Sequence, residues 1–330
     1  MQLLNTDNDQ FEKLAECQKV NQQFMQLVRF GDPQELKKFA QEYGNAWIKV
    51  RLRERAVMRK LLMFGNVTVS DRNVQRNTLD DTLVYMKDIE PFSRAASVVT
   101  IRGRGEAQYI EGKRYAIPFA KFVTPLFMKD ENELLAYDLP LNQIIEENSA
   151  KDLEEKQDAI GFAKVNQIIA DRETLFAGSA KVTGNGEITK EKILDLFNLL
   201  DQRRLVADAL VMTWTSYNSF LKQTLQTFGD PLLSEIIQKG YTYDRILGRK
   251  VYISVKNDII DVLNSNGSGM VTKRRVYAFA APRYLGDFKV LNDTKFYIEN
   301  RFGTVMSQLS EMAAIGFGNI HAMACLEMTV

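Results

Sequence analysis

Between Ser149 and Gly178 the sequence has no proline, and Gly161 is its one interior breaker, which predicts a single long helix. Ser149 followed by Asp152 supplies a capping-box-like start, because a hydroxyl and a carboxylate can accept the unpaired amide hydrogens of a first turn. Gly178 supplies the left-handed residue that commonly closes a helix. At ~1.5 Å per residue such a rod is roughly 40 Å long, which is long for a compact domain. Its first half (Lys151, Asp152, Glu154, Glu155, Lys156, Asp158) is polar all round. Its second half (Ala159, Ile160, Phe162, Ala163, Val165, Ile168, Ile169, Ala170) keeps hardly any polar face. A helix apolar on several sides needs partners on several sides, so the remaining segments must be arranged around this one. By itself the segment reads first as the central helix of an ordinary two-layer domain.

At 330 residues the chain can build two domains of ordinary size, or one elaborate domain with long excursions. An apolar fraction of 45% with 26% charged residues is globular and excludes a disordered chain. A formal net charge of +1 predicts no general attraction to nucleic acid or acidic lipid, so any basic surface must be local. No stretch reaches the ~20 apolar residues of a membrane span, and no basic-then-apolar leader opens the sequence. Cys17 and Cys325 sit near opposite ends without metal-like or redox-like spacing. Two buried thiols in a reducing cytoplasm are the expectation.

Ahead of the long helix, residues 7–30, 32–43 and 45–64 read as three successive helices broken at Gly31-Asp32-Pro33 and Gly44-Asn45. In the third, Trp47, Val50, Val57, Leu61 and Phe64 form a narrow apolar stripe. Lys49, Arg51, Arg53, Arg55, Arg59 and Lys60 occupy the other faces against Glu54 alone. That cluster is either a nucleic-acid contact or a solvated face paired with acidic neighbours. Residues 67–91, rich in Asn, Asp and Arg, read as an extended irregular connection. The strand-like runs Ser97 to Arg102 and Tyr115 to Phe119 flank a charged tip with Gly103, Gly105 and Gly112, which argues for a long hairpin with Pro118 on an edge strand. A lone hairpin cannot bury enough surface to stand by itself, so it must lie on something.

After the long helix, Gly184-Asn185-Gly186 is a turn and Thr189 caps an amphipathic helix bearing Ile193, Leu194, Leu196, Phe197 and Leu200. Ala209 to Met212 reads as a buried strand, followed by a helix from about Ser216 to Thr227 and another opened by Asp230-Pro231. Val251 to Val255 and Val276 to Ala280 read as strands, and this alternating block should have its own core. Residues 288–315 suggest a second ribbon, and residues 316–328 bring the chain back into a core.

The catalytic inventory is poor. His321 is the single histidine and sits in an apolar run, where a core or boundary imidazole is the expectation. No serine elbow, cysteine–histidine neighbour, phosphate-binding loop or zinc spacing is present. No catalytic, cofactor-binding or metal-ligating residue is therefore assigned, and no enzyme is expected.

In order and pattern, residues 93–330 resemble the major capsid proteins of tailed bacteriophages, the HK97-like fold shared with encapsulins. The similarity is clearest at Ala209 to Leu221, at Tyr241 to Ile253 with Ile246-Leu247-Gly248, at Ala278 to Asp287, and at the closing segments Glu311 to Gly316 and Ala322 to Leu326. The resemblance implies an α+β HK97-like major capsid fold. Its parts would be an N-terminal helical arm and connection (1–92), an E-loop hairpin (93–124), a peripheral domain with the spine helix (125–183), and an axial α/β domain (184–281). A return ribbon (282–315) and a C-terminal strand (316–330) would complete it. It implies a subunit that assembles with itself into hexamers and pentamers of an icosahedral head in the host cytoplasm and encloses double-stranded DNA. Portal, scaffolding and decoration proteins would be further partners, with no membrane. Arg102, Arg104, Glu111, Lys113 and Arg114 would make inter-subunit charge pairs. Lys49, Arg51, Arg53, Arg55, Arg59 and Lys60 would face the lumen and packaged DNA. An encapsulin-type compartment, and a nucleic-acid-binding protein that forms no shell, are the alternatives.

Overall fold

A computed structural model describes residues 56–79, 81–89, 113–130, 141–176, 180–220, 245–254, 256–263, 271–301 and 303–330, with Glu35 and Gly178. Within the helix expected over 45–64, whose first part lies outside the described residues, the structure has only the short α1 (Val57–Leu61), which begins after an extended Ala56 and ends at Leu61. Leu62 is extended and the chain enters β1 (Met63–Val67), so Phe64 leaves the expected helical stripe and stacks obliquely on Phe288, ring centroids 6.0 Å apart.

Residues 67–91 are not the irregular connection their composition suggests. They contain β2 (Val74–Arg76) and β3 (Leu83–Ile89), which form an antiparallel sheet with β4 (Lys113–Pro118). Val74, Tyr85, Ile117 and Phe119 are buried against Leu291 and Ala314, so the apolar support for these strands comes from distant residues. Among the described residues Pro118 lies on an edge strand, but the partner of that strand is β3, not the 97–102 segment expected to form a hairpin with it. The expected strand at 97–102 and the hairpin tip lie outside the described residues.

Next come β5 (Ala120–Val123), β6 (Phe127–Asp130) and the spine helix α2 (Leu141–Leu175). The spine is 35 residues long, or about 50 Å, and begins before Ser149. Ser149 is therefore not its cap but a fully buried interior residue. Gly178 does take a left-handed conformation (φ 70°), and the Glu173 carboxylate organises the exit by accepting the amides of Gly178, Ala180 and Lys181.

The following strands and helices are close to expectation. They are β7 (Lys181–Asn185), α3 (Lys190–Asp201), β8 (Ala207–Thr213), a helix entered at residue 214, β9 (Arg245–Ile246) and β10 (Arg249–Ser254). Thr189 caps α3 through its hydroxyl, which accepts the Lys192 amide at 3.3 Å. The chain continues through α4 (Asn257–Ile260), β11 (Val262–Leu263), β12 (Val271–Ala280), α5 (Pro282–Leu285), β13 (Gly286–Arg301), β14 (Thr304–Phe317) and β15 (Met323–Thr329).

Two larger sheets flank the spine. The order β1-β13-β14-β5, with β6 also on β14, makes the first, and β13–β14 is the long ribbon expected from the sequence. The order β7-β15-β12-β8-β10-β9, with β11 beside β12, makes the second. On one face of the second sheet α3 buries Ile193, Leu196 and Leu200 beneath Leu210, Val276 and Leu326. On the other face, Phe162, Val165 and Ile169 of the spine join Val211, Tyr277, Phe279 and Cys325. The same apolar core continues into Phe288, Leu309 and Ile315 of the first sheet. The spine thus has partners on several sides, which is what its apolar half required.

Candidate functional site

Beyond Ser149, the half of the spine that reads as polar all round buries the side chains of Glu154, Gln157 and Asp158. Each meets the segment that precedes β1 or the loop before α4. The Asp158 carboxylate accepts the amides of Val57 (3.2 Å) and Met58 (3.0 Å) and pairs with Lys256 (3.2 Å), which also reaches Glu154 (3.1 Å). Met58 is fully buried against Gly161, where an added Cβ would lie 2.5 Å from the Met58 Cγ. The one glycine inside the spine is thus the seat for the leading segment.

One residue further on, Arg59 crosses to the ribbon. Its guanidinium donates to both Glu311 oxygens at 2.7 Å and to the Gln157 side-chain oxygen at 3.0 and 3.2 Å, and lies over the rings of Phe64 and Phe288. Thr294 donates a further hydrogen bond to Glu311. With side chains 3% and 0% exposed, this is an interior ion pair held by charge-assisted hydrogen bonds. It ties the leading segment, the spine and both strands of the ribbon together.

The small sheet is docked onto the same ribbon. Ile117 sits on Gly316 and Tyr115 on Gly318, where an added Cβ would stand 2.3 Å from the Ile117 Cδ1 and 2.5 Å from the Tyr115 hydroxyl, so either side chain would have to shift. Lys87 of β3 pairs with the buried Asp287 of β13, and Lys289 approaches the same carboxylate at 3.5 Å. Burial, then the Asp287 charge, pushes the Tyr115 phenol up to about 12, so it stays neutral in this contact.

On the spine-facing side of the second sheet, Lys181, Lys273 and Arg275 converge on Glu327 at 2.8–3.0 Å. Burial would raise the Glu327 carboxyl, but the hydrogen bonds from Lys273, Lys181 and Arg275 outweigh it and hold the group at about 2. A group depressed in the folded state contributes stability above its unfolded value, lost as pH falls through the folded one. Glu327→Gln should therefore lower stability at neutral pH by about 2 kcal/mol. Urea midpoints of variant and parent should converge as pH falls from 4.5 towards 2.

The site residues expected from sequence fare differently. Arg59 is corrected: it is an interior residue neutralised by Glu311, not a lumen-facing cation. Lys60 is exposed, its ammonium 5.9 Å from the Tyr252 ring centre. Lys49, Arg51, Arg53 and Arg55 lie outside the described residues, as do Arg102, Arg104 and Glu111. Lys113 is placed by its backbone opposite Ile89, and Arg114 makes an exposed pair with Asp88, a type worth little to stability. Glu154, Gln157, Asp158 and Glu311 had no local signal, since each owes its importance to a partner distant in sequence.

His321 is a boundary residue; burial, then the charges of Arg172 and Arg203, lowers its pKa. Cys325 is a buried free thiol pushed by burial to about 12. Among the described residues no group of His, Cys, Asp and Glu is arranged to hold a metal, and no helix is long and apolar enough to cross a membrane.

No protein-family model matches the sequence, and no curated protein matches it. Solved structures do. A chain of Mycobacterium phage Ogopogo superposes with a TM-score of 0.54 at 12% identity, over 83% of this chain and 92% of that one. A chain of Gordonia phage Cozz gives 0.53 at 13% identity, over 84% and 87%. A chain from the asymmetric unit of the bacteriophage PhiM1 mature capsid gives 0.50 at 10% identity, over 83% and 87%. Agreement over more than four fifths of each chain, for a chain with a spine helix between two sheets and a ribbon that carries a docked three-stranded sheet, establishes that it has the α+β HK97-like capsid fold.

Proposed function

We propose that this protein is the shell subunit of a tailed-phage-type head, a structural protein that assembles with copies of itself into a closed capsid around double-stranded DNA. The observation that carries the reading is the fold match to a subunit of a mature capsid over 83% of the chain. The docked hairpin sheet supports it. Its strands β3 and β4 are paired out to Ile89 and Lys113, and residues 90–112 continue from them as a charged, glycine-bearing segment too long for a simple turn. In a shell that segment lies across a neighbouring subunit, with its Arg102, Arg104 and Glu111, and Lys113 and Arg114 at its base on β4, setting geometry through repeated weak pairs while apolar contacts supply most of the affinity; Arg114 would exchange its exposed Asp88 partner to do so. The virion is the location that follows, with portal, scaffolding and decoration proteins as partners of the assembled head.

Electron microscopy of the purified protein tests this directly. Closed shells or capsomer rings are expected, and a monodisperse monomer at high concentration would sink the reading. Replacing residues 90–112 by Asn-Gly, the turn that joins a paired Ile89 and Lys113 most tightly, should leave a monomer with the parent's urea midpoint and no regular assembly. Shells of ordinary geometry from that variant would remove the segment from the assembly contact.

A further inference from the structure

The basic helix face expected to meet DNA loses Arg59 to the interior, whereas the second sheet offers a cation cluster of a different kind. Lys181 on β7, Glu327 on β15, and Lys273 and Arg275 on β12 lie on adjacent strands and on one face. Three cations share one carboxylate: Lys181 and Lys273 meet one oxygen at 2.9 and 2.8 Å, and Arg275 meets the other with two nitrogens at 3.1 and 3.0 Å. Glu327 is 6% exposed in its side chain while Lys273 is 44%, Lys181 30% and Arg275 23% exposed. The negative charge is thus sunk beneath a rim of positive charge. Two further carboxylates are engaged elsewhere: Asp261 lies inside the protein, its oxygens taken by the Arg275 amide and the Thr213 hydroxyl, and Glu173 accepts the backbone amides of Gly178, Ala180 and Lys181. Within the cluster itself three cations face one carboxylate, and the side chains are already fixed in place by Glu327.

We infer that Lys181, Lys273 and Arg275 form a phosphate-backbone contact, which binds nucleic acid without reading its bases. Glu327 holds the three cations together against their own repulsion, so little side-chain freedom is lost when a phosphodiester replaces the mobile counterions above them. A chain with a net charge of only +1 has no strong overall field to do this, so attraction of a polyanion falls to local clusters, of which this one is preorganised. The inference takes from the capsid reading only the source of the nucleic acid.

The test is fluorescence anisotropy of a short random-sequence DNA duplex with the unassembled full-length protein over a range of salt. The Lys181→Gln/Lys273→Gln variant keeps the Glu327–Arg275 pair and should fold, which its urea midpoint checks. Loss of two phosphate contacts at about 0.9 each should make the log–log salt slope shallower by roughly 1.8 and weaken binding at least about tenfold at 0.1 M salt. Lys156→Gln/Lys250→Gln removes the same charge from two exposed lysines elsewhere and should leave binding near the parent's. Equal loss in both variants, or none in the first, overturns the assignment. Displacement of the duplex by inorganic phosphate at matched ionic strength would make the cluster a small-anion site and overturn the backbone contact. Because binding is measured before assembly, shells without this binding defeat the patch alone, and this binding without shells defeats the capsid reading alone.

Discussion

Replacing Glu311 with alanine is expected to cost about 3–5 kcal/mol, because the Arg59 guanidinium would stay in the interior without its counter-charge. At a typical stability of about 5–15 kcal/mol, that loss removes a large part of the folded state's margin. The effect should be asymmetric. Arg59→Met/Glu311→Leu removes both charges and substitutes side chains of similar bulk, which should restore most of the loss, since a buried pair is often no more stabilising than an apolar replacement. Urea unfolding of Arg59→Met, Glu311→Leu and the double variant measures this as a coupling energy. If Glu311→Ala unfolds within about 0.5 kcal/mol of the parent, as an ordinary surface change does, the pair is solvated and the interior anchor is wrong.

Gly286→Ala should be nearly as damaging, for a steric reason. Gly286 opens β13 opposite Phe317, and a Cβ there would stand 2.1 Å from the Gly316 carbonyl oxygen and 2.9 Å from the Phe317 Cα. Both obstacles are backbone, so no rotamer change relieves them. The strands must separate where the ribbon meets α5, at the upper end of the usual overpacking cost, about 3 kcal/mol. Gly178 and Gly303 provide the control: their φ angles of 70° and 75° make alanine unfavourable by only about 1–2 kcal/mol, and open space surrounds each. A thermal midpoint for Gly286→Ala no lower than for Gly303→Ala would mean that the ribbon does not close as tightly as described.

The difference between these sites and the rest of the chain explains what could be read in advance. Thr189 and the stripe Ile193, Leu196, Phe197 and Leu200 announced α3, because cap and period are local properties. Ala209 to Met212 announced a buried strand, being apolar on both faces of a sheet covered on both sides. The β13–β14 ribbon was legible for the opposite reason, since along β14 buried and partly exposed residues alternate from Thr304 to Ala313. The start of the spine was misplaced because Ser149 and Asp152 have the chemistry of a cap, yet Gln143, Glu146 and Glu147 before them are good helix formers and the helix passes through. The strands β2 and β3 were hidden in a polar stretch, since what they pack on is supplied by Leu291 and Ala314.

The amino-acid pattern alone determined that this chain has one unusually long helix, which segments flank it as helix and strand, and hence the class of fold. It did so because helical and strand periods are written within short windows. Only the tertiary structure decided which charges are internal and which remain on the surface. Arg59 looked like a solvent-facing cation until the ribbon brought Glu311 to it across 252 positions of sequence. Lys181, Lys273 and Arg275 had no visible relation until three strands set them around Glu327. A charge tolerates desolvation only where an opposite charge and hydrogen-bond partners converge on it, and that convergence is a property of the folded chain as a whole.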